Sequence, residues 1–191
     1  GGIAGLLLGG GIIEKSYFSG NIIAGNTQKI YTSVGGIVGE TLDGVVTKSY
    51  NLGNVTSDAY AGGIIGSMYN NFNPIINNVY NEGNISANRV GGGIVGIAYG
   101  TLENAYSTGV VQNGGGLVGN AGEGGPNWFA GFNINNSYWD LNTSNTLSSD
   151  GGEGKTTIEM TTVPNPENIY VDWNFTDVWE QENGNYPTLK N

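Results

Sequence analysis

Short apolar runs recur along the chain, and each run follows two glycines and precedes one more. This Gly-Gly-apolar box begins at residues 1, 35, 62, 92 and 115, so successive starts are 34, 27, 30 and 23 residues apart. A second box follows each of the first four, and its internal spacing is fixed around Tyr17, Tyr50, Tyr80 and Tyr106. Constant boxes joined by segments of variable length are typical of a repeat protein whose coils stack on one another.

The residue types in the boxes predict β-structure, because five-residue runs with β-branched side chains and flanking glycines suit short strands and corners. The shortest repeat has 23 residues, which fits one coil of a parallel β-helix, whereas a propeller blade needs about 40. The sequence therefore predicts an all-β fold, a parallel β-helix (solenoid) of about five coils over residues 1–150. The general chirality of parallel crossovers predicts a right-handed coil.

The same pattern predicts how the coils pack. We expect one residue of each apolar pair, such as Ile37 or Val38, to stack into a ladder inside the core, and the tyrosines to form a second stacked ladder. We expect the box glycines to provide positive φ angles at the corners and close passage of the backbone. The repeated Asn21, Asn54 and Asn84 predict an amide ladder between coils.

Residues 151–191 have fewer glycines and more acidic side chains than the repeats. Thr156 followed by Glu159 predicts a capping box on a short helical turn. Two short aromatic strands around residues 172–178 and 179–189, with a turn at residues 182–185, predict a β-hairpin. Because the last coil of a solenoid exposes strand edges and apolar side chains, we expect this segment to cover the open end. A separate binding domain is the alternative interpretation.

Composition and charge exclude several classes of function. The formal net charge of −10 argues against binding to nucleic acid or to anionic lipid, and no apolar run is long enough to span a bilayer. The chain has no His and no Cys, which excludes a His-activated nucleophile and a His/Cys metal site. The acidic residues of the repeats are scattered, so we predict that the chain is not an enzyme. It starts within a repeat, and we expect it to be part of something longer.

One stretch after the last full repeat has the composition of a calcium loop. Asp140, Asn142 and Asp150 are candidate calcium ligands, since oxygen ligands suit that ion. The EF-hand pattern would also need Gly at its sixth position and Glu at its twelfth, where this chain has Asn145 and Gly151. A plain polar turn is the alternative interpretation of these residues.

Two further sets of side chains are candidate sites. Trp128, Phe129 and Phe132 lie in a Gly-rich stretch and are candidates for binding a ligand such as a sugar by stacking. The alternative is that they fold over the solenoid itself. Asn54 and Asn84 are candidates for glycosylation, because both stand in Asn-x-Ser/Thr sequons at one repeat position.

The repeat unit GGIVG…SYNLGNV resembles the GLUG-motif repeat of bacterial and archaeal surface proteins, over about residues 1–139. The tail is similar to the segment that often ends such arrays, through SYWD, GKTTIEM and WNFTDVWEQENGNYPTL. The resemblance implies a β-helix that is secreted or displayed on a cell surface, and it brings no catalytic residue.

Repeat and resemblance together predict an extracellular structural or adhesive segment, a rigid spacer or a scaffold that presents loops. The expected partners are cell-surface or matrix glycans and proteins, neighbouring domains, or stacked copies of the chain. A carbohydrate-binding module is the alternative prediction, followed by a polysaccharide-cleaving enzyme.

Overall fold

The computed structural model describes residues 1–25, 32–69, 73–121, 131–166 and 169–190. These residues form the predicted parallel β-solenoid, with about four turns where the sequence predicted about five coils. The strands in chain order are β1 (Ala4–Leu7), β2 (Ile12–Glu14), β3 (Tyr17–Phe18), β4 (Ile22–Ala24), β5 (Ser33–Gly35), β6 (Val38–Thr41), β7 (Val45–Asn51), β8 (Val55–Ser57), β9 (Tyr60–Gly62), β10 (Ile65–Met68), β11 (Ile75–Asn81), β12 (Ile85–Gly92), β13 (Val95–Ala98), β14 (Gly100–Ser107), β15 (Val111–Gly115), β16 (Val118–Ala121), β17 (Phe132–Asn135), β18 (Tyr138–Asp140), β19 (Glu153–Lys155), β20 (Trp179–Glu180) and β21 (Thr188–Leu189), with helix α1 (Thr157–Thr161) between β19 and β20.

The strands of the solenoid form three parallel faces, which each coil visits in turn. Face A has the order β1-β6-β10-β13-β16, and face B has the order β19-β18-β14-β11-β7-β2, with β3 on β7 and β17 on β14. Face C joins β4-β8-β12-β9-β5, with β15 on β12. Equivalent repeat positions pair directly, as Tyr50 does with Tyr80 and Tyr80 with Tyr106. The predicted stacking of identical boxes is therefore confirmed.

In the coils after the first, the core contains both residues of each apolar pair, so the expectation that only one of them points inward is wrong there. Ile37 and Val38 both have 0% exposure, as do Ile64 and Ile65 on the next coil. Ile37 lies in the corner between β5 and β6, while Val38 begins β6. Because the chain turns at that corner, two consecutive side chains can face the interior.

The expectation of positive φ at the box glycines is also wrong. The left-handed residues instead form a column at the start of the second box, with φ between 45° and 52°: Lys15, Lys48, Asn78, Asn104 and Asn136. The box glycines are needed because the backbones approach closely. A Cβ on Gly63 would lie 2.1 Å from the carbonyl oxygen of Gly93 and 2.3 Å from Cγ of Asn81.

The left-handed residue reverses the alternation of side chains within face B. In β7, Val46 is buried in the main core and Thr47 is only partly buried. Strict alternation from Val46 would turn Tyr50 inward. The left-handed Lys48 adds one residue to the count, as a bulge does, so Ser49 is buried and Tyr50 packs outside with a separate aromatic cluster. The tyrosine ladder therefore lies on the outer side of face B.

A buried polar ladder runs from coil to coil inside the solenoid, at the corner between faces B and C. The Nδ2 of Asn51 donates to Oδ1 of Asn81 at 2.7 Å, and the Nδ2 of Asn81 donates to Oγ of Ser107 at 3.3 Å. In register, Phe18 pairs with Asn51 at one end of the column, and Trp139 pairs with Ser107 at the other. The ladder is thus an internal feature that the surface-exposed Asn54 and Asn84 do not share.

The C-terminal segment begins where predicted but packs elsewhere. β19 still pairs in parallel with β18, so coil pairing extends to Lys155. The predicted capping box of Thr156 and Glu159 starts α1, and β20 and β21 pair as an antiparallel hairpin. The strand expected over residues 172–178 is not formed, since those residues form turns and irregular backbone. The segment packs along the outer side of face B instead of across the end of the solenoid. Among the described residues, no helix has the length and apolar character needed to cross a membrane.

Candidate functional site

The outer side of face B carries a continuous column of stacked tyrosine rings. The ring centroids of Tyr17 and Tyr50 are 5.2 Å apart, those of Tyr50 and Tyr80 are 4.7 Å apart, and those of Tyr80 and Tyr106 are 5.1 Å apart. The interplanar angles are 9°, 3° and 2°. The predicted second ladder is therefore confirmed, and it faces outward.

The C-terminal segment covers one half of this column. The ring of Trp179 packs 6.2 Å from both Tyr80 and Tyr106, and Tyr186 stacks on Tyr106 at 5.8 Å. The hydroxyl of Tyr106 donates to the carbonyl oxygen of Pro187 at 2.8 Å. Burial raises the pKa of the Tyr80 and Tyr106 hydroxyls well above the usual value for tyrosine. Tyr106 is closed to ligands, and Tyr80 retains 5% exposure at the boundary of the covered half.

The other half of the column is open and forms one wall of a cleft. Tyr17 is 59% exposed, and Tyr50 is partly buried. The cleft has a volume of about 490 Å³. We call it the Tyr–Lys cleft, and the residues that line it are Lys15, Tyr17, Lys48, Tyr50, Tyr80, Glu180, Thr188, Leu189 and Lys190.

Positive charge is concentrated in the Tyr–Lys cleft. Three of the chain's six basic residues line it, although the formal net charge of the chain is −10. Lys48 pairs with Glu14 of the preceding coil at 3.1 Å, and both side chains remain partly exposed. Lys190 donates to the carbonyl oxygens of Phe175 and Thr176 at 2.9 and 2.7 Å, so carbonyl oxygens fix the position of its ammonium group without neutralising the charge.

A second cleft lies beside the same hairpin and has the opposite charge. Its lining includes Glu82, Glu180 and Glu182, together with the ring of Tyr186. Partial burial raises the pKa of the Glu82 carboxyl. Glycoside hydrolysis needs two carboxylates held at a defined separation, whereas Glu180 and Glu182 are exposed side chains at the hairpin. Within the described residues, no three His, Cys, Asp or Glu side chains are grouped so as to hold a metal ion.

The calcium candidates lie near the last coil, and hydrogen-bond donors of the protein occupy their oxygens. Oδ2 of the buried Asp140 accepts from Tyr186 at 2.5 Å and from Thr157 at 2.7 Å, while its Oδ1 accepts from the amide of Asn142 at 2.7 Å. Asp150 accepts from the amide of Ala121 at 3.1 Å on the far side of the coil. The structure favours the plain-turn alternative, in which Asp140 anchors the C-terminal segment.

The other predicted site residues are distributed differently. Trp128 and Phe129 lie outside the described residues, so their predicted role stays a prediction. Phe132 begins β17 and packs against the main core, which favours the alternative that it folds over the solenoid. Asn54 and Asn84 are exposed. The Nδ2 of Asn54 donates to Oδ1 of Asn21 at 3.3 Å, as the predicted side-chain ladder requires, whereas Oδ1 of Asn54 accepts from the backbone N–H of Asn84 at 3.0 Å.

Sequence reasoning missed the Tyr–Lys cleft because it treated the tyrosines as part of the packing. A signal was available in the second box, which begins with Lys15 and Lys48 in the first two repeats and with asparagine in the later ones. Comparisons of the chain with protein-family models, with curated proteins and with solved structures gave no match.

Proposed function

We propose that this chain is an extracellular structural and adhesive segment of a microbial surface protein, a stiff scaffold that holds a binding surface on one face. The observation that carries the proposal is the unbroken stacking of all three faces, in which each coil pairs with the next through its backbone. The interior is occupied by apolar and amide ladders. What remains for recognition is the outer surface and the loops.

Two features of the sequence support an extracellular setting. The repeat is similar to the GLUG-motif unit, which implies a secreted or surface-displayed protein. The strong net negative charge of −10 favours solubility and lowers non-specific binding to polyanions. We further propose that the chain acts by binding and not by catalysis, because the acidic residues beside the hairpin are not held in a fixed pair.

Force spectroscopy tests the scaffold proposal. Attachment handles are placed on the first and last coils, and the chain is stretched between them along the solenoid axis. We expect high resistance to extension up to one cooperative unfolding event, because backbone pairs on three faces must break together. Gradual lengthening at low force, one coil at a time, would contradict a stiff spacer.

A carbohydrate-binding module is the second candidate function, and the Tyr–Lys cleft is the observation that favours it. Tyrosine rings and lysines arranged around an open cleft offer both apolar surface and hydrogen-bond donors to a sugar. Scaffold and binding module are compatible, because a stiff solenoid can present the cleft at its surface.

A further inference from the structure

We infer that the Tyr–Lys cleft binds an extended polysaccharide whose residues carry carboxylate groups, a uronic-acid glycan. The inference deepens the proposed function by naming the ligand class, and it rests on that proposal only in treating this face as a recognition surface. Three independent observations lead to it: the position of the lysines, the direction of the tyrosine column and the boundary between covered and open coils.

The first observation is that two lysines occupy a backbone conformation that does not suit them. Lys15 and Lys48 have φ angles of 49° and 45°, in the left-handed region that favours glycine and asparagine. The equivalent residues of the later coils, Asn78, Asn104 and Asn136, share that conformation. Departures from local preference that bring no gain in packing are typical of functional positions.

The second observation is where the change from lysine to asparagine falls. The asparagine coils are the ones that the C-terminal segment covers: Nε1 of Trp179 donates to Oδ1 of Asn78 at 3.0 Å, and Nε1 of Trp173 donates to the carbonyl oxygen of Asn136 at 2.9 Å. Both lysine coils contribute a lysine and a tyrosine to the open cleft, and the asparagine coil beside them contributes the nearly buried ring of Tyr80. The side chain of Asn78 therefore holds the C-terminal segment in one half of the column, and lysine points to recognition in the other.

The third observation is the spacing of the open tyrosines. Tyr17 and Tyr50 stack at 5.2 Å, so one ring edge and one hydroxyl recur with every coil along the axis. This distance is close to the length of one sugar residue in an extended glycan. A glycan that runs along the axis would meet one phenol group, which can donate and accept a hydrogen bond, on each coil.

The lysines select for the carboxylate. Lys15, Lys48 and Lys190 line the same cleft from two sides, since Lys15 and Lys48 stand on face B and Lys190 follows the hairpin. A hydrogen bond between an ammonium group and a carboxylate is stronger than one between neutral groups. Two carboxylates lie close to these lysines, since Glu180 lines the cleft and Glu14 pairs with Lys48 at 3.1 Å. Three ammonium groups beside two carboxylates leave the cleft with a net positive charge, and charges farther away than the Debye length of about 8 Å are screened at physiological ionic strength.

The test uses the complete 191-residue chain and isothermal titration with polygalacturonate oligomers. Fully methyl-esterified oligomers of the same length serve as the neutral control, and poly-L-glutamate serves as a control with similar charge but no sugar. We expect saturable binding to polygalacturonate, at least about tenfold tighter than to either control, as the loss of charge-assisted contacts predicts.

The decisive variant is the double substitution Lys15→Asn and Lys48→Asn. Asparagine suits the left-handed backbone, so the variant is expected to fold at least as well as the original chain. We expect its affinity for polygalacturonate to fall about tenfold or more. Lys155→Gln is the matched control, because Lys155 pairs with Glu153 at 2.7 Å outside the cleft. We expect that variant to bind normally.

A second variant tests the tyrosine column. Tyr50→Phe keeps the stacked ring and removes the hydroxyl, and we expect about threefold to tenfold weaker binding. The inference is overturned by absence of saturable binding, by equal affinity for the methyl ester or for poly-L-glutamate, or by unchanged affinity in the double lysine variant. Each of these results leaves the force measurement on the scaffold unaffected, so failure of the ligand assignment and failure of the scaffold proposal are distinguishable.

Discussion

Replacing Asn81 with alanine removes the centre of the buried polar ladder. The Oδ1 of Asn81 accepts from the backbone N–H of Gly83 at 3.2 Å and from Nδ2 of Asn51 at 2.7 Å. Its Nδ2 donates to the carbonyl oxygen of Gly83 at 2.8 Å and to Ser107 at 3.3 Å. The substitution therefore leaves the N–H and the carbonyl of the buried Gly83 without these partners.

The expected cost follows from those two backbone groups. A buried donor or acceptor that loses its partner costs about 1–3 kcal/mol, so Asn81→Ala should lower the free energy of unfolding by roughly 2–6 kcal/mol. Asn51 still donates to the carbonyl oxygen of Gly53 at 2.7 Å, so its loss of Asn81 adds no further cost to the free energy of unfolding. With a urea m-value of about 2 kcal/mol/M, the unfolding midpoint should fall by roughly 1–3 M.

The matched control is Asn84→Ala, three residues along the same coil. Asn84 is exposed, and its Oδ1 accepts from the amide of Val110 at 3.0 Å, where water can replace it. We expect a loss below about 1 kcal/mol. Urea unfolding followed by circular dichroism compares the two variants. Equal losses, or a loss below about 1 kcal/mol for Asn81→Ala, would refute the assignment of the ladder as a stabilising element.

Four further predictions concern other parts of the fold. Gly83→Ala should destabilise by several kcal/mol or prevent folding, since its Cβ would lie 2.0 Å from the carbonyl oxygen of Gly53, whereas Gly5→Ala, with nothing within 4 Å, should be neutral in thermal unfolding. Trp179→Ala should cost about 3–5 kcal/mol and expose the covered tyrosines to quenchers; unchanged quenching would contradict the packing. Lys48→Asn should leave the melting temperature unchanged or raise it, because relief of the left-handed strain adds up to about 1 kcal/mol to the free energy of unfolding. A clear loss of stability would contradict the strain argument. The melting temperature should hold below about pH 9 and fall above about pH 10. The pKa of the Tyr106 hydroxyl is raised in the folded state, so this tyrosine ionises first in the unfolded chain and stabilises that state. A flat profile to about pH 11 would contradict the burial of Tyr106.

The repeats allowed the stacking to be predicted but not the direction of every side chain. Identical boxes must occupy identical positions on successive coils, which is why the ladder of Tyr50 and Tyr80 followed from spacing alone. The outward direction of that ladder depends on the left-handed Lys48, which shifts the alternation by one residue. Lysine rarely adopts that conformation, so a lysine at this position does not predict the shift in alternation.

The position of the C-terminal segment could not be predicted for a related reason. Its aromatic residues and the capping box of Thr156 were evident in the sequence, and both were found as expected. The surface that receives them exists only because Tyr106 faces outward, with Trp179 packed against it. Because the sequence does not show that Tyr106 faces outward, the open end of the solenoid was the apolar surface that the segment was expected to cover.

Native-state hydrogen exchange tests the central claim most directly, namely that the stacked coils form one stiff body that carries a recognition face. We predict that the amides of β7, β11 and β14, the central strands of face B, exchange slowly and with one shared free energy of opening, close to that of global unfolding. Rapid exchange in these strands, or a separate opening energy for each coil, would contradict the account.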